Sequence, residues 1–161
     1  MTKLTRRFVF RRSADNVESK TKAGRFRHDY LRRHNIVIYY VEQDPFCQPK
    51  VDACFKAIIA RGDALVASDA ARFECLVGPF QSGDTAVAND YHKFFDPKNG
   101  IQTLQVTSAV WERAAEIRAL FRLQPLDSIH LASAIEHSRS VFLTNDAQLT
   151  RCTAITVQVL T

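Results

Sequence analysis

From residue 35 onward the sequence alternates between apolar runs suited to strands and amphipathic stretches suited to helices. This alternation restricts the fold more than any other feature. "NIVIYYVE" (35–42) is an unbroken apolar, β-branched and aromatic run, read as a strand buried on both faces. "PKVDACFKAIIAR" (49–61) sets Val51, Cys54, Phe55, Ile58 and Ile59 on one helical face, opened by Pro49 and ended by Gly62. "ALVAS" (64–68) reads as a second strand, and "DAARFECLVG" (69–78) as a helix capped by Ser68 or Asp69 and closed by Gly78. A helix capped by Ser82 follows and stops before Pro97; "IQTLQV" (101–106) makes a third strand. The strongest helix is 107–123, with Val110, Ala114, Ile117, Leu120 and Phe121 sharing a face. Helix 127–138, strand 140–144, a helical turn near 146–150 and strand 154–160 complete the chain. The expected architecture is α/β: one domain over 35–161, with a doubly wound, mainly parallel sheet flanked by helices.

Composition supports a real core, with 46% hydrophobic and 10% aromatic residues. The net charge of +5 is unevenly spread. Residues 1–34 carry eleven Lys/Arg against three acidic residues, whereas the remainder carries eleven against fourteen. The body is therefore mildly acidic, and the basic total is no argument for nucleic-acid binding. The head is polar and aperiodic and is expected to be disordered. Cys47, Cys54, Cys75 and Cys152 form no C-x-x-C pair, so they are expected to be reduced thiols in a cytoplasmic protein. No apolar run reaches the roughly 20 residues that span a bilayer, so no membrane partner is expected.

Three carboxylates from distant parts of the chain fall at the carboxyl ends of strands, where open α/β sheets place their crevice. Asp127 opens a helix in "PLDSIHLASA", Asp146 follows the strand "VFLT", and Glu74 lies in the helix after "ALVAS". Each has an ordinary alternative: Asp127 and Asp146 as helix caps, Glu74 as a solvated helix residue. Grouped, they need a cation, because two bare carboxylates about 4 Å apart repel by roughly 4 kcal/mol at an effective dielectric of 20. Oxygen-only donors select Mg²⁺ or Mn²⁺, whose chemistry suits phosphodiester hydrolysis. His130 shares a helix face with Asp127; it reads first as a hydrogen-bonded, half-buried histidine and otherwise as a partner of the acids or of substrate. Thr144 and Asn145 could hold Asp146 in place or simply make the turn.

Taken together, "NIVIYYVE", "SDAARFECLVGP", "LDSIHLASA" and "FLTNDAQL" resemble a PIN-domain ribonuclease, specifically a VapC-type toxin of a toxin–antitoxin pair, over about residues 33–160. The resemblance implies a Mg²⁺- or Mn²⁺-dependent endoribonuclease that is inhibited by a small protein antitoxin. By position, Glu74, Asp127 and Asp146 match three of the family's four acids, and Thr144 matches the hydroxyl residue before the last. A homodimer is a further family expectation, through the apolar faces of helices 50–61 and 82–95. Arg72 or Lys93 would supply phosphate contacts.

The family's first acid belongs to a motif of the form D-[ST]-N-x-x-x-Y, which here reads "RHNIVIY", with Arg33 in the aspartate's place. A cation beside a divalent ion adds a repulsion where an attraction belongs. A single base change would account for this: if "LRRH" is encoded CTA-CGT-CGA-CAC, the same DNA reads Tyr-Val-Asp-Thr one base later. Residues 1–34 are then an out-of-frame reading joined to an intact body. The alternative is a genuine basic extension on a diverged, inactive domain that still binds antitoxin or RNA. A small phosphatase of similar topology is the poorer third reading.

Overall fold

The apolar run that opens the body is helical, not extended. In this computed structural model, which describes residues 36–99 and 101–160, α1 spans Ile36–Val41 and buries Ile36, Ile38 and Tyr39. A run without polar residues carries no period, so its pattern fits either conformation, and its β-branched content favours the strand reading only locally. Packing against the three helices that follow decides for the helix. The basic head and Arg33 lie outside the described residues.

Gln43, at φ 53°, ends α1. The Asp44 carboxylate then accepts the backbone N–H groups of Phe46 (2.9 Å) and Cys47 (2.8 Å), turning the chain into α2 (Gln48–Ala60) with Pro49 in its first turn. β1 (Val66–Ser68) runs directly into α3 (Asp69–Ser82), whose N-cap is Ser68; its hydroxyl accepts the Ala71 N–H at 3.3 Å.

Gly78 does not end α3, as the sequence had suggested. The helix continues through Pro79 and stops at Gly83, whose φ of 69° supplies the left-handed cap and whose N–H reaches the Pro79 carbonyl. Pro79 forgoes a helical N–H bond but lies in the last turn and is buried, which offsets the loss. The next helix, α4 (Thr85–Phe94), is capped by Asp84, which accepts the Val87 N–H at 3.0 Å. Ser82, the expected cap, belongs to α3 and donates to the Pro79 carbonyl at 3.2 Å.

β2 (Gln102–Leu104) pairs parallel with β1, placing Ser68 opposite Leu104. α5 (Ser108–Phe121), capped by Thr107, ends at Arg122 in the left-handed region and turns tightly into α6 (Pro125–Glu136). β3 (Val141–Thr144) and β4 (Thr156–Val159) pair parallel, linked through a short 3₁₀ turn at Ala147–Arg151. Both strand pairs are parallel, as the alternation predicts, and α6 packs on β1 and on β3.

The main core joins Val110, Ala114 and Ile117 of α5 to Ile129, Leu131 and Ala132 of α6, with Leu123, Leu149 and Cys152 closing it. Leu120, assigned to the α5 face by sequence, is 74% exposed, because it sits about 80° round the helix from the Val110–Ala114–Ile117 seam. A second apolar layer is aromatic: Tyr40 lies 5.1 Å from Phe55 and 5.9 Å from Phe94, centroid to centroid. The apolar face of α4 (Val87, Ala88, Tyr91, Phe94) is spent inside the protein and is not free for self-association. The exposed apolar side chains lie elsewhere, among them Ile59 on α2 and Phe73 and Phe80 on α3.

The two candidate caps make an expected difference. Asp84→Ala should cost about 1 kcal/mol of unfolding free energy through loss of the α4 cap, whereas Ser82→Ala should stay within about 0.5 kcal/mol of wild type. Urea unfolding followed by circular dichroism measures both, and an equal loss in the two would contradict the assignment.

Candidate functional site

A polar chain runs between the end of β1 and the helices packed on it. Ser68, the last residue of β1, brings its Oγ to 2.7 Å from His130 Nδ1, and His130 Nε2 lies 2.7 Å from Glu74 Oε2. The three residues come from β1, α6 and α3. Ser68 is 7% exposed, and the side chains of His130 and Glu74 are 14% and 29% exposed. Glu74 faces inward because its α3 neighbours Ala71 and Cys75 are buried, while Phe73, one residue away, is 60% exposed. Glu74 and Phe73, adjacent in sequence, are thus turned apart.

A second polar group gathers at the end of β3. Thr144 is buried, its Oγ1 accepts the Asp146 N–H at 3.0 Å, and its carbonyl accepts the Leu160 N–H at 2.7 Å. Asn145 donates through Nδ2 to the Tyr39 hydroxyl at 2.8 Å, tying α1 to this strand end. The Asn145 Oδ1 is buried and has no hydrogen-bond partner, a state that costs free energy and is rare in settled interiors. Asp146 accepts the Gln148 N–H at 2.8 Å and caps the 3₁₀ turn, so its capping role is real.

Asp127 is not a cap. The helix begins two residues earlier than expected, with Pro125 at its start and Gln124 at the cap position, and Asp127 lies half-buried in the first turn. There its charge is favoured by the helix dipole. It lies three positions before His130, on the same side of α6.

Among the described residues, no three His, Cys, Asp or Glu side chains are gathered as a metal ion requires. The predicted convergence of Glu74, Asp127 and Asp146 into a finished cage is therefore not present as such. The donors suit a hard dication in kind, being carboxylates plus one unsatisfied buried amide oxygen at Asn145. His130 is the hydrogen-bonded, half-buried histidine that the sequence favoured, and it is also the partner of an acid. Ser68 was read only as a cap and Tyr39 only as a strand residue. A histidine within a buried helix demands partners, and that demand is the signal that could have led to Ser68.

The groups expected to contact phosphate are modest. Arg72 is exposed on α3, and Lys93 is paired with Asp90 at 3.1 Å. All four cysteines are free thiols, with Cys75 and Cys152 buried. Among the described residues, no helix is long and apolar enough to cross a membrane.

Burial pushes the Tyr39 phenol above its ordinary pKa, with Cys47 adding to the shift and the Asn145 hydrogen bond partly opposing it. A phenol raised in the folded state stabilises the fold below the ordinary tyrosine range, and that contribution is lost as pH climbs through the raised value. Tyr39→Phe should therefore lessen the fall in the urea midpoint between about pH 9 and 11; an unchanged slope would refute the coupling.

No curated protein matches the sequence significantly. Among solved structures, the chain is similar to a chain of VapBC2 from Rickettsia felis bound to a DNA fragment from their promoter. The TM-score is 0.65 at 14% identity, covering 79% of this chain and 95% of that one, a likeness of fold. A family model described as the PIN domain matches residues 35–154. That span takes in Glu74, Asp127, His130, Thr144, Asn145 and Asp146 alike, and the chain belongs to the PIN domain family.

Proposed function

We propose that this protein is a VapC-type endoribonuclease by descent, one that hydrolyses RNA phosphodiesters with a divalent metal ion, acts in the cytoplasm and pairs with a small protein antitoxin. PIN domains are generally nucleases. The observation that carries the reading is Asp146 just past β3, next in the chain to a buried Asn145 amide oxygen that lacks a partner, with Asp127 in the first turn of α6, the helix that packs on β3. The similarity to a VapBC2 chain supports the antitoxin partner.

Asp127, Asp146 and Glu74 would hold Mg²⁺ or Mn²⁺. Such an ion, when bound, activates a water and offsets charge on the phosphate oxygens. The chain's own part is positioning. Thr144 and Asn145 fix the turn that presents Asp146. Glu74, held on one oxygen by His130, would orient the attacking water through the other and take its proton. Cleavage would leave a 3′-hydroxyl and a 5′-phosphate.

A second reading is favoured by two observations: the acids are not gathered into a metal cage, and Arg33 stands where the family's motif has an aspartate. In that reading the chain as written is a silent PIN module that still binds antitoxin or RNA. Cleavage of a mixed RNA pool with and without Mg²⁺ separates the two. The nuclease reading expects metal-dependent cleavage that falls by at least about a hundredfold in Asp127→Asn. Cleavage that persists in Asp127→Asn is a contaminant, and no cleavage at all by wild type refutes the nuclease reading of the chain as written.

The reading-frame proposal has its own test. Replacing the four residues together (Leu31→Tyr, Arg32→Val, Arg33→Asp, His34→Thr) should tighten Mn²⁺ binding more than about a hundredfold, the equivalent of about 3 kcal/mol. Unchanged Mn²⁺ affinity would refute the role given to position 33. Coding DNA that yields no aspartate one base over would refute the frame change.

A further inference from the structure

We propose that Ser68 and His130 are positioning residues: together they fix the orientation of the Glu74 carboxylate and brace α3 against α6, the helix that bears Asp127. This rests on the role given to Glu74 above and adds Ser68, which the sequence shows only as a helix cap.

With a neutral imidazole, the hydrogen bonds have one consistent direction. Ser68 Oγ accepts the Ala71 N–H at 3.3 Å, so its single hydrogen is available for His130 Nδ1 at 2.7 Å. Nδ1 is then an acceptor, and the ring carries its proton on Nε2, which donates to Glu74 Oε2 at 2.7 Å. This tautomer is assigned from the network. The opposite neutral tautomer would leave the Ser68 hydroxyl hydrogen without an acceptor in a buried place. It would also set the Nε2 lone pair against a carboxylate lone pair. The chain therefore reads backbone to serine, serine to histidine, histidine to glutamate.

A serine, a histidine and a glutamate in sequence also suggest a nucleophile with its base. The geometry argues otherwise. Ser68 is 7% exposed, and its oxygen is already occupied by the α3 N-terminus, so no substrate reaches it. What the chain does accomplish is restraint. A glutamate side chain is otherwise free to turn, and the donor on one oxygen holds the carboxylate in place. Asp127 lies three residues from His130 on the same helix, so one ring links the helices that carry two of the three acids.

The test uses the full chain labelled with ¹⁵N, with His130 ring signals identified by their loss in His130→Ala. Long-range ¹H–¹⁵N spectra should show one fixed Nε2–H tautomer in wild type and in Ser68→Thr, which retains the hydroxyl, and lose it in Ser68→Ala. Titration with Mn²⁺ alone, followed by electron paramagnetic resonance, should show affinity lower by about tenfold in Ser68→Ala and in His130→Ala, with Ser68→Thr near wild type. His130→Ala leaves the Ser68 cap in place and serves should Ser68→Ala fail to fold. An Nδ1–H ring or a freely averaging ring in wild type overturns the proposal. A fixed Nε2–H ring with Mn²⁺ affinity equal in all variants overturns the positioning role. Failure of wild type to bind Mn²⁺ instead refutes Glu74 as a metal ligand, and the relay is then decided by the ring spectra alone.

Discussion

The arrangement turns on the burial of the middle of α6. Ser128, Ile129, Leu131, Ala132, Ser133 and Ala134 are all buried, so the polar groups within this stretch must be satisfied from within the protein. Ser128 and Ser133 do this locally, donating to the carbonyls of Gln124 (3.0 Å) and Ile129 (2.8 Å). His130 cannot, since an imidazole reaches no carbonyl of its own helix in this way, and it recruits Ser68 and Glu74 from two other elements. The pressure that gives the core its tightness therefore also organises the polar chain beside it.

The same economy holds across the site. Asp146 caps a turn and Ser68 caps a helix, yet both stand at strand ends where chemistry is expected. A residue that closes a helix end and faces a cleft needs no special strain to be held there; the backbone N–H it accepts does the holding. Asn145 differs. One end of its amide binds Tyr39 while the other is buried without a partner, so it carries the one open polar valence among buried side-chain atoms of the described residues.

Much of this was legible before any coordinates. Val110, Ala114 and Ile117 announce α5 by their spacing, and the parallel character of the strands follows from the helices between them. Errors fall where local signals tie. "IVIYYV" has no polar residue to reveal a period, so only its neighbours make it α1. Gly78 and Pro79 look like a stop, but a glycine ends a helix only when its backbone turns left-handed, and Gly83 is the one that does. In the site, the residue types were readable and their pairings were not. Nothing in one sequence says that position 130 meets position 68 across 62 residues.

The parallel pairing of β1 with β2 carries a kinetic consequence. Val66–Ser68 can meet Gln102–Leu104 only after α3 and α4 have folded back across the intervening chain. Loop-closure entropy is spent before that contact returns anything, which makes such pairing slow compared with the α5–α6 hairpin. Ser68 thus gains its strand neighbour late in folding. Until that contact forms, the backbone groups of β1 that later pair with β2 are open to other strands.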